Sequence, residues 1–186
     1  MVRAKRKVAR RTSGRSTATA QQDAIALLKA DHRQVKEGFE QFESTRSETR
    51  KQALAQKICQ ALTVHTQIEE EIFYPAFLEA TGAEDIHHEA EVEHDGAKKL
   101  IAVIEASGPD DAYYDARMKV LSEMIKHHVN EEEKRNGMFA RARRAKLDLQ
   151  TLGEQLSARK AELMKDGTAG DPARRHRGVT GIHAGA

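Results

Sequence analysis

From residue 23 onward the chain alternates apolar and polar positions with the three- and four-residue steps of amphipathic helices, and each helical seam is interrupted by a histidine. The first seam runs Ile25, Leu28, His32, Val35, Phe39, Phe42 from an N-cap at Asp23. A second starts at Ser47, runs Leu54, Ile58, Ala61, His65, Glu69, Ile72, and is predicted to end near Pro75, with a turn at Thr81-Gly82. The third carries Ala90/Glu91, His94, Ala97, Ile101 and Ile104 and stops at Gly108-Pro109. The fourth carries Tyr114, Met118, Leu121, Ile125, His128 and Glu132 and weakens at Asn136-Gly137. An amphipathic segment over roughly 148–166 (Leu149, Leu152, Leu156, Leu163) is predicted to pack outside these four. Helices of about 20 residues span roughly 30 Å. With short connections they favour an all-α, up-down-up-down antiparallel four-helix bundle with an extra C-terminal helix.

Four seam histidines, one per helix, are a demanding pattern, because buried imidazoles and carboxylates are costly unless something binds them. His65 has Glu69 one turn on, His128 has Glu132, and His94 has Glu91 one turn before; such pairs share a helix face. His127 is reached from the Leu121–Ile125 seam only by a step of two, so His128 and Glu132 form the inward pair. Glu70, Glu71, Glu131 and Glu133 are expected to be solvated, and His87, seven residues before His94, is the reserve candidate ahead of His88. The expected metal ligands are therefore His32, His65, Glu69, Glu91, His94, His128 and Glu132. Four imidazoles and three carboxylates exceed one tetrahedral zinc site and suit two six-coordinate ions with bridging carboxylates. Nitrogen and oxygen donors without thiolate favour iron or manganese. A ferritin-like di-iron bundle would use Glu-x-x-His motifs, and of the four seam histidines only His94, in Glu91-x-x-His94, has that form.

Composition adds detail. Aromatic residues make up 4% of the chain and charged ones 32%, which favours helices over sheets. Residues 1–20 hold seven bases and no acid, and residues 167–186 carry a net +2, so a total of +2 leaves −7 for residues 21–166. The expected division is a disordered basic tail over 1–22, the bundle over 23–145, the added helix over 146–166 and a disordered tail over 167–186. The first tail faintly resembles a transit peptide and could draw nucleic acid weakly through phosphate contacts. Cys59 is the only cysteine, which excludes an intramolecular disulfide and fits a cytoplasmic protein. No apolar run is long enough for a membrane span.

The segments Ala30-Asp31-His32-Arg33, His65-Thr66-Gln67-Ile68-Glu69-Glu70-Glu71 with Tyr74-Pro75, Glu93-His94-Asp95, and His127-His128-Val129-Asn130-Glu131-Glu132-Glu133 occur in an order and spacing that resembles the hemerythrin-like HHE cation-binding domain, over roughly residues 23–145. The resemblance implies a non-haem di-iron centre, two iron ions with an oxo or hydroxo bridge, on His32, His65, Glu69, His94, His128 and Glu132. It also implies a small ligand, dioxygen, peroxide or nitric oxide, and a role in sensing, storage or stress protection. Two departures stand out from the oxygen carriers of the family, which have a second third-helix histidine and a fourth-helix aspartate. Lys98 stands at His94+4, leaving Glu91 as the best substitute, and Glu132 lies four residues after His128. A carboxylate in place of an imidazole would favour ferric iron, against simple reversible oxygen transport. A catalase-like or peroxidatic enzyme, with Tyr74 as acid–base group, and a nucleic-acid-associated bundle are the alternatives. The oligomeric state is not legible.

Overall fold

The computed structural model describes residues 22–166. The expectations for the two basic tails fall outside them. Seven α-helices follow in order: α1 (Ala24–Ser44), α2 (Glu48–Ile68), α3 (Tyr74–Thr81), α4 (Glu84–Glu105), α5 (Tyr114–Glu133), α6 (Met138–Arg144) and α7 (Leu149–Asp166). The predicted N-cap at Asp23 is made, and Ser47, where the second helix was expected to start, caps α2. Asp23 accepts a hydrogen bond from the Ala26 amide at 2.7 Å, and Ser47 accepts one from Arg50. Each satisfies an otherwise orphaned donor, worth about 1 kcal/mol.

Helices α1, α2, α4 and α5 form an antiparallel ring, each packed on the next and α5 on α1. Antiparallel order is visible in the pairings: Gly38 lies against Ile58 while His32 meets His65. Between α4 and α5, Gly96 lies against Met124 while His94 meets His128. Two apolar clusters fill the ring. One contains Val35, Phe39, Ile58, Leu62, Ile101, Met118 and Leu121; the other Ile25, Leu28, Ile68, Phe73, Phe77, Met138 and Phe139. Each fully buried large side chain contributes roughly 1.5–3 kcal/mol. The four seam histidines lie between the two clusters.

The second helix does not end at Pro75. It passes through one π-helical turn, Glu69–Phe73, in which the Tyr74 amide bonds the Glu69 carbonyl, and continues as α3 to Thr81. The missing Pro75 amide falls just after this widened turn, at the start of α3, where a proline is tolerated. Gly82, at φ +63°, closes α3 in the left-handed conformation. The short helix α6 was not anticipated; it buries Met138, Phe139 and Ala142 over one end of the bundle. Helix α7 packs on α1 and α2 through Leu156 and Leu163, as its seam predicted.

Lys134 turns extended and ends α5, and Gly137 then folds back beneath it. A Cβ at Gly137 would lie 2.2 Å from the Glu131 carbonyl oxygen and 2.7 Å from that of Glu132. Gly137→Ala is therefore expected to cost about 1–3 kcal/mol, the usual scale of overpacking, lowering the thermal midpoint. A melt that matches wild type would show that α6 docks less closely than described.

Candidate metal centre

Six of the seven predicted residues converge. His32 and His65 point their Nε2 atoms at each other across 3.1 Å, and His94 and His128 do the same across 3.2 Å. Glu69 and Glu132 lie between the two imidazole pairs, at most 2% exposed. Glu69 Oε2 stands 3.2 Å from His65 Nε2 and 3.5 Å from His94 Nε2. Glu132 Oε2 stands 3.4 Å from His32 Nε2 and 3.7 Å from His128 Nε2. Each carboxylate thus reaches both pairs. Within 4.8 Å of one another lie donor atoms of His32, His65, Glu69 and Glu132, and likewise of Glu69, His94 and His128. The result is two donor nests sharing one carboxylate.

The outward nitrogens explain why the inward ones are poised for a cation. His32 Nδ1 donates to Glu133 at 2.8 Å, His94 Nδ1 to Glu70 at 2.9 Å, and His128 Nδ1 to Glu93 at 2.8 Å. His65 Nδ1 faces Asp31 at a longer 3.6 Å. An ionised carboxylate only accepts, so the proton of each neutral, hydrogen-bonded imidazole is held on Nδ1 and the lone pair on Nε2. When the His94 and His128 rings are both in this form, two lone pairs face each other and repel unless a positive charge lies between them. Buried oxygens without a partner, Glu69 Oε1 and Glu132 Oε2, point to the same requirement. The donor set fits a metal.

Each outer carboxylate is held in turn by a cationic or imidazole side chain. Lys29 bonds Glu133, Lys160 of α7 bonds Asp31, Lys98 bonds Glu70 at 2.6 Å, and His127 meets Glu93 at 3.2 Å. Glu70 and Glu133 therefore orient imidazoles and are not merely solvated, as their positions between seam residues suggested. Asp31 and Glu93 were missed as functional residues, although each directly precedes a seam histidine. Lys98, read only as a missing histidine, braces Glu70.

Glu91 departs from expectation. Its side chain is 52% exposed and pairs with His87 at 3.6 Å, outside the nests. Glu91 and His94 are three apart, yet α4 turns Ala90, His94 and Ala97 inward and leaves Glu91 on the flank. His87, the reserve candidate, lies outside the nests too, against the Tyr74 ring edge and the His88 ring. The interior place is taken by Tyr74, fully buried, its hydroxyl 3.2 Å from His94 Nε2, 3.2 Å from Glu132 Oε1 and 3.4 Å from Glu69 Oε2. In a regular α-helix, residues five apart diverge by roughly 140°. The π turn absorbs one extra residue and brings Glu69 and Tyr74 to the same side.

In the absence of a cation, protons replace it. Burial opposes charge on His32, but Glu132 and Glu133 raise its pKa to about 9. Burial and then the Glu132 charge push the Glu69 carboxyl well above the usual carboxylate range. Burial lowers His65 to about 4 and keeps it neutral. Cys59, deep in the far apolar cluster, is raised to about 12 by burial and supplies no thiolate. Small cavities reach the centre from two sides. One of about 220 Å³ touches His128 and Glu132; another of about 530 Å³ touches His32.

Two outcomes follow. Metal binding at pH 7 should release about one to two protons per chain, from His32 and Glu69, since ligands must be deprotonated. The His32 part should disappear above its raised pKa. Calorimetric heats independent of buffer ionisation enthalpy would contradict this. Separately, His65→Ala or His128→Ala should remove most bound metal, while His127→Ala and Glu91→Gln leave its stoichiometry nearly unchanged. Equal losses at 127 and 128, measured by elemental analysis, would show the inward register to be wrong.

Comparison with known proteins agrees with this fold. A solved structure of a hemerythrin HHE cation binding domain-containing protein from Mycobacterium kansasii, a homolog of Rv2633c, matches the fold with a TM-score of 0.67 at 23% identity, over 79% of this chain and 90% of that one. A curated relative from Nostoc sp., named a DNA nickase, is 27% identical over 107 residues, 58% of this chain. The chain spans only 30% of that relative's length. The model of the hemerythrin HHE cation binding domain matches residues 23–142, which include all six converging residues. On that match, and with a buried donor set that fits a cation, the chain belongs to the hemerythrin HHE cation-binding family and is a metal-binding protein.

Proposed function

We propose that the centre holds two iron ions, for which His32, His65, Glu69, His94, His128 and Glu132 would supply the donors, and that the protein binds dioxygen, peroxide or nitric oxide in sensing, storage or protection against oxidative or nitrosative stress. The observation that carries this reading is the pair of His–His nests with carboxylates between them. One zinc ion would need only four of these donors and leave the rest buried and unpaired. Nitrogen and oxygen donors without thiolate suit iron. Iron would supply redox chemistry and positions for a small ligand. The chain's own part is to hold three imidazoles through their Nδ1 atoms, to exclude bulk water with the two apolar clusters, and to keep a phenol beside the ligands. Cys59 as sole cysteine suits the cytoplasm. Among the described residues no helix is long and apolar enough to cross a membrane.

Tyr74 favours a second reading, a catalase-like or peroxidatic enzyme. Its hydroxyl can donate a proton to a ligand at the centre or to Glu132, and burial with the nearby Glu132 and Glu69 charges keeps it protonated. The similarity to a protein named DNA nickase lends some weight to DNA contact, for which the basic N-terminal tail is the candidate. Salt-dependent DNA retention lost on deleting residues 1–20 would support that role.

Protein expressed in iron-replete medium should carry about two irons per chain and absorb in the near ultraviolet as a bridged ferric pair. One tightly held zinc and no iron would refute the proposal. If peroxide is turned over, oxygen evolution should fall in Tyr74→Phe at unchanged iron content. Equal rates would leave Tyr74 a packing residue and favour the binding role.

A further inference from the structure

Beside His32, α1 and α5 border the cavity of about 530 Å³, a volume suited to a small organic molecule. Its walls are apolar, from Phe39, Ile125 and Val129. Its rim carries Arg33, Lys36 and Lys126. Lys36 has only a 4.0 Å approach to Glu40, and Arg33 and Lys126 have no carboxylate partner among the described residues. The one acid at the cavity, Glu133, is already engaged by Lys29 and His32. In a body with a net charge of −7, this rim is a local cationic exception.

A second observation points inward. Ser122 is 1% exposed, lines the cavity, and its hydroxyl has no hydrogen-bond partner. A helical serine normally returns its hydroxyl to a carbonyl one turn back, and a buried hydroxyl left unpaired is destabilising. Charge at the mouth, an apolar middle and a lone hydroxyl within define the complement of a particular ligand.

We infer that this cavity binds a small hydroxy- or oxo-carboxylic acid, its carboxylate at Arg33 and Lys126, its apolar body on Phe39, Ile125 and Val129, and its far oxygen on Ser122. The body can be aromatic or aliphatic. Because the cavity also touches His32, an occupant would cover one approach to the metal centre, but binding itself does not depend on which metal is present.

The test is calorimetric titration of the purified, metal-containing full chain with 4-hydroxyphenylacetate and 8-hydroxyoctanoate, which separates aromatic from aliphatic bodies. At least one should saturate a single site per chain. Phenylacetate, lacking the hydroxyl, should bind about fivefold more weakly than its hydroxylated form, the scale of one hydrogen bond. Tyramine, with the charge inverted, should be weaker by about tenfold or more, and Arg33→Glu/Lys126→Glu should lose about tenfold for either acid. Ser122→Ala, a mild change, should erase the difference between 4-hydroxyphenylacetate and phenylacetate while raising the thermal midpoint. Metal content should be unchanged in both variants, separating this site from the centre. No saturation by either acid, tyramine binding as well as the acids, or a hydroxyl preference that survives Ser122→Ala would each overturn the inference.

Discussion

Everything in this fold is arranged around one difficulty: six ionisable side chains buried at mid-bundle between two apolar clusters. Left to themselves, four imidazoles and two carboxylates would cost more than the surrounding packing returns. The chain meets this in layers. Outer carboxylates hold the Nδ1 protons, Lys29, Lys98 and Lys160 hold those carboxylates, and a cation or trapped protons hold the centre together. Lys160 explains why α7 belongs to the domain and is more than an appendage. It spans from the outermost helix to Asp31 on α1, beside His65.

The same difficulty accounts for the two apolar clusters. Polar layers are tolerated where water cannot compete and where flanking packing keeps the ligands from moving apart. Phe73 and Phe139, ring edge to face, and His32 stacked on Phe139, close the layer from one side. Helix α6 exists to deliver Met138 and Phe139 to that position, and Gly137 permits its close return over the end of α5.

What was legible in the sequence followed from regular periodicity. The four seams, the Asp23 N-cap, the start near Ser47, the inward choice of His128 over His127, and the added helix over 148–166 all depend on three- and four-residue steps that the structure keeps. The departures occur where that period breaks or where a side chain acts across helices. The π turn at Glu69–Phe73 shifts the register by one residue, so Tyr74 enters the interior and Pro75 does not end the helix. No seam count based on 3.6 residues per turn could place it there. Glu91 failed for the opposite reason. Its spacing from His94 was right for one face, but the inward face is narrow at that level and Ala90 fills it. Glu70, Glu93 and Glu133 looked like surface acids within their own helices, and their partners lie on neighbouring ones.

Replacing Glu91 by Tyr74 also reverses an electrostatic expectation. A third carboxylate would have added negative charge to the centre and favoured the more highly charged state of any redox-active cation held there. The phenol offers an oxygen without charge, and its own ionisation is opposed by burial and then by the Glu132 and Glu69 carboxylates. The interior charge is then limited to Glu69 and Glu132, while the outer carboxylates are largely offset by three lysines. A redox-active cation held there would keep its lower oxidation state more readily than in a ligand set containing Glu91. The objection to reversible binding of a small ligand that rested on an extra carboxylate therefore loses its basis. In its place stands a phenol hydroxyl, a proton donor, 3.2 Å from the His94 imidazole.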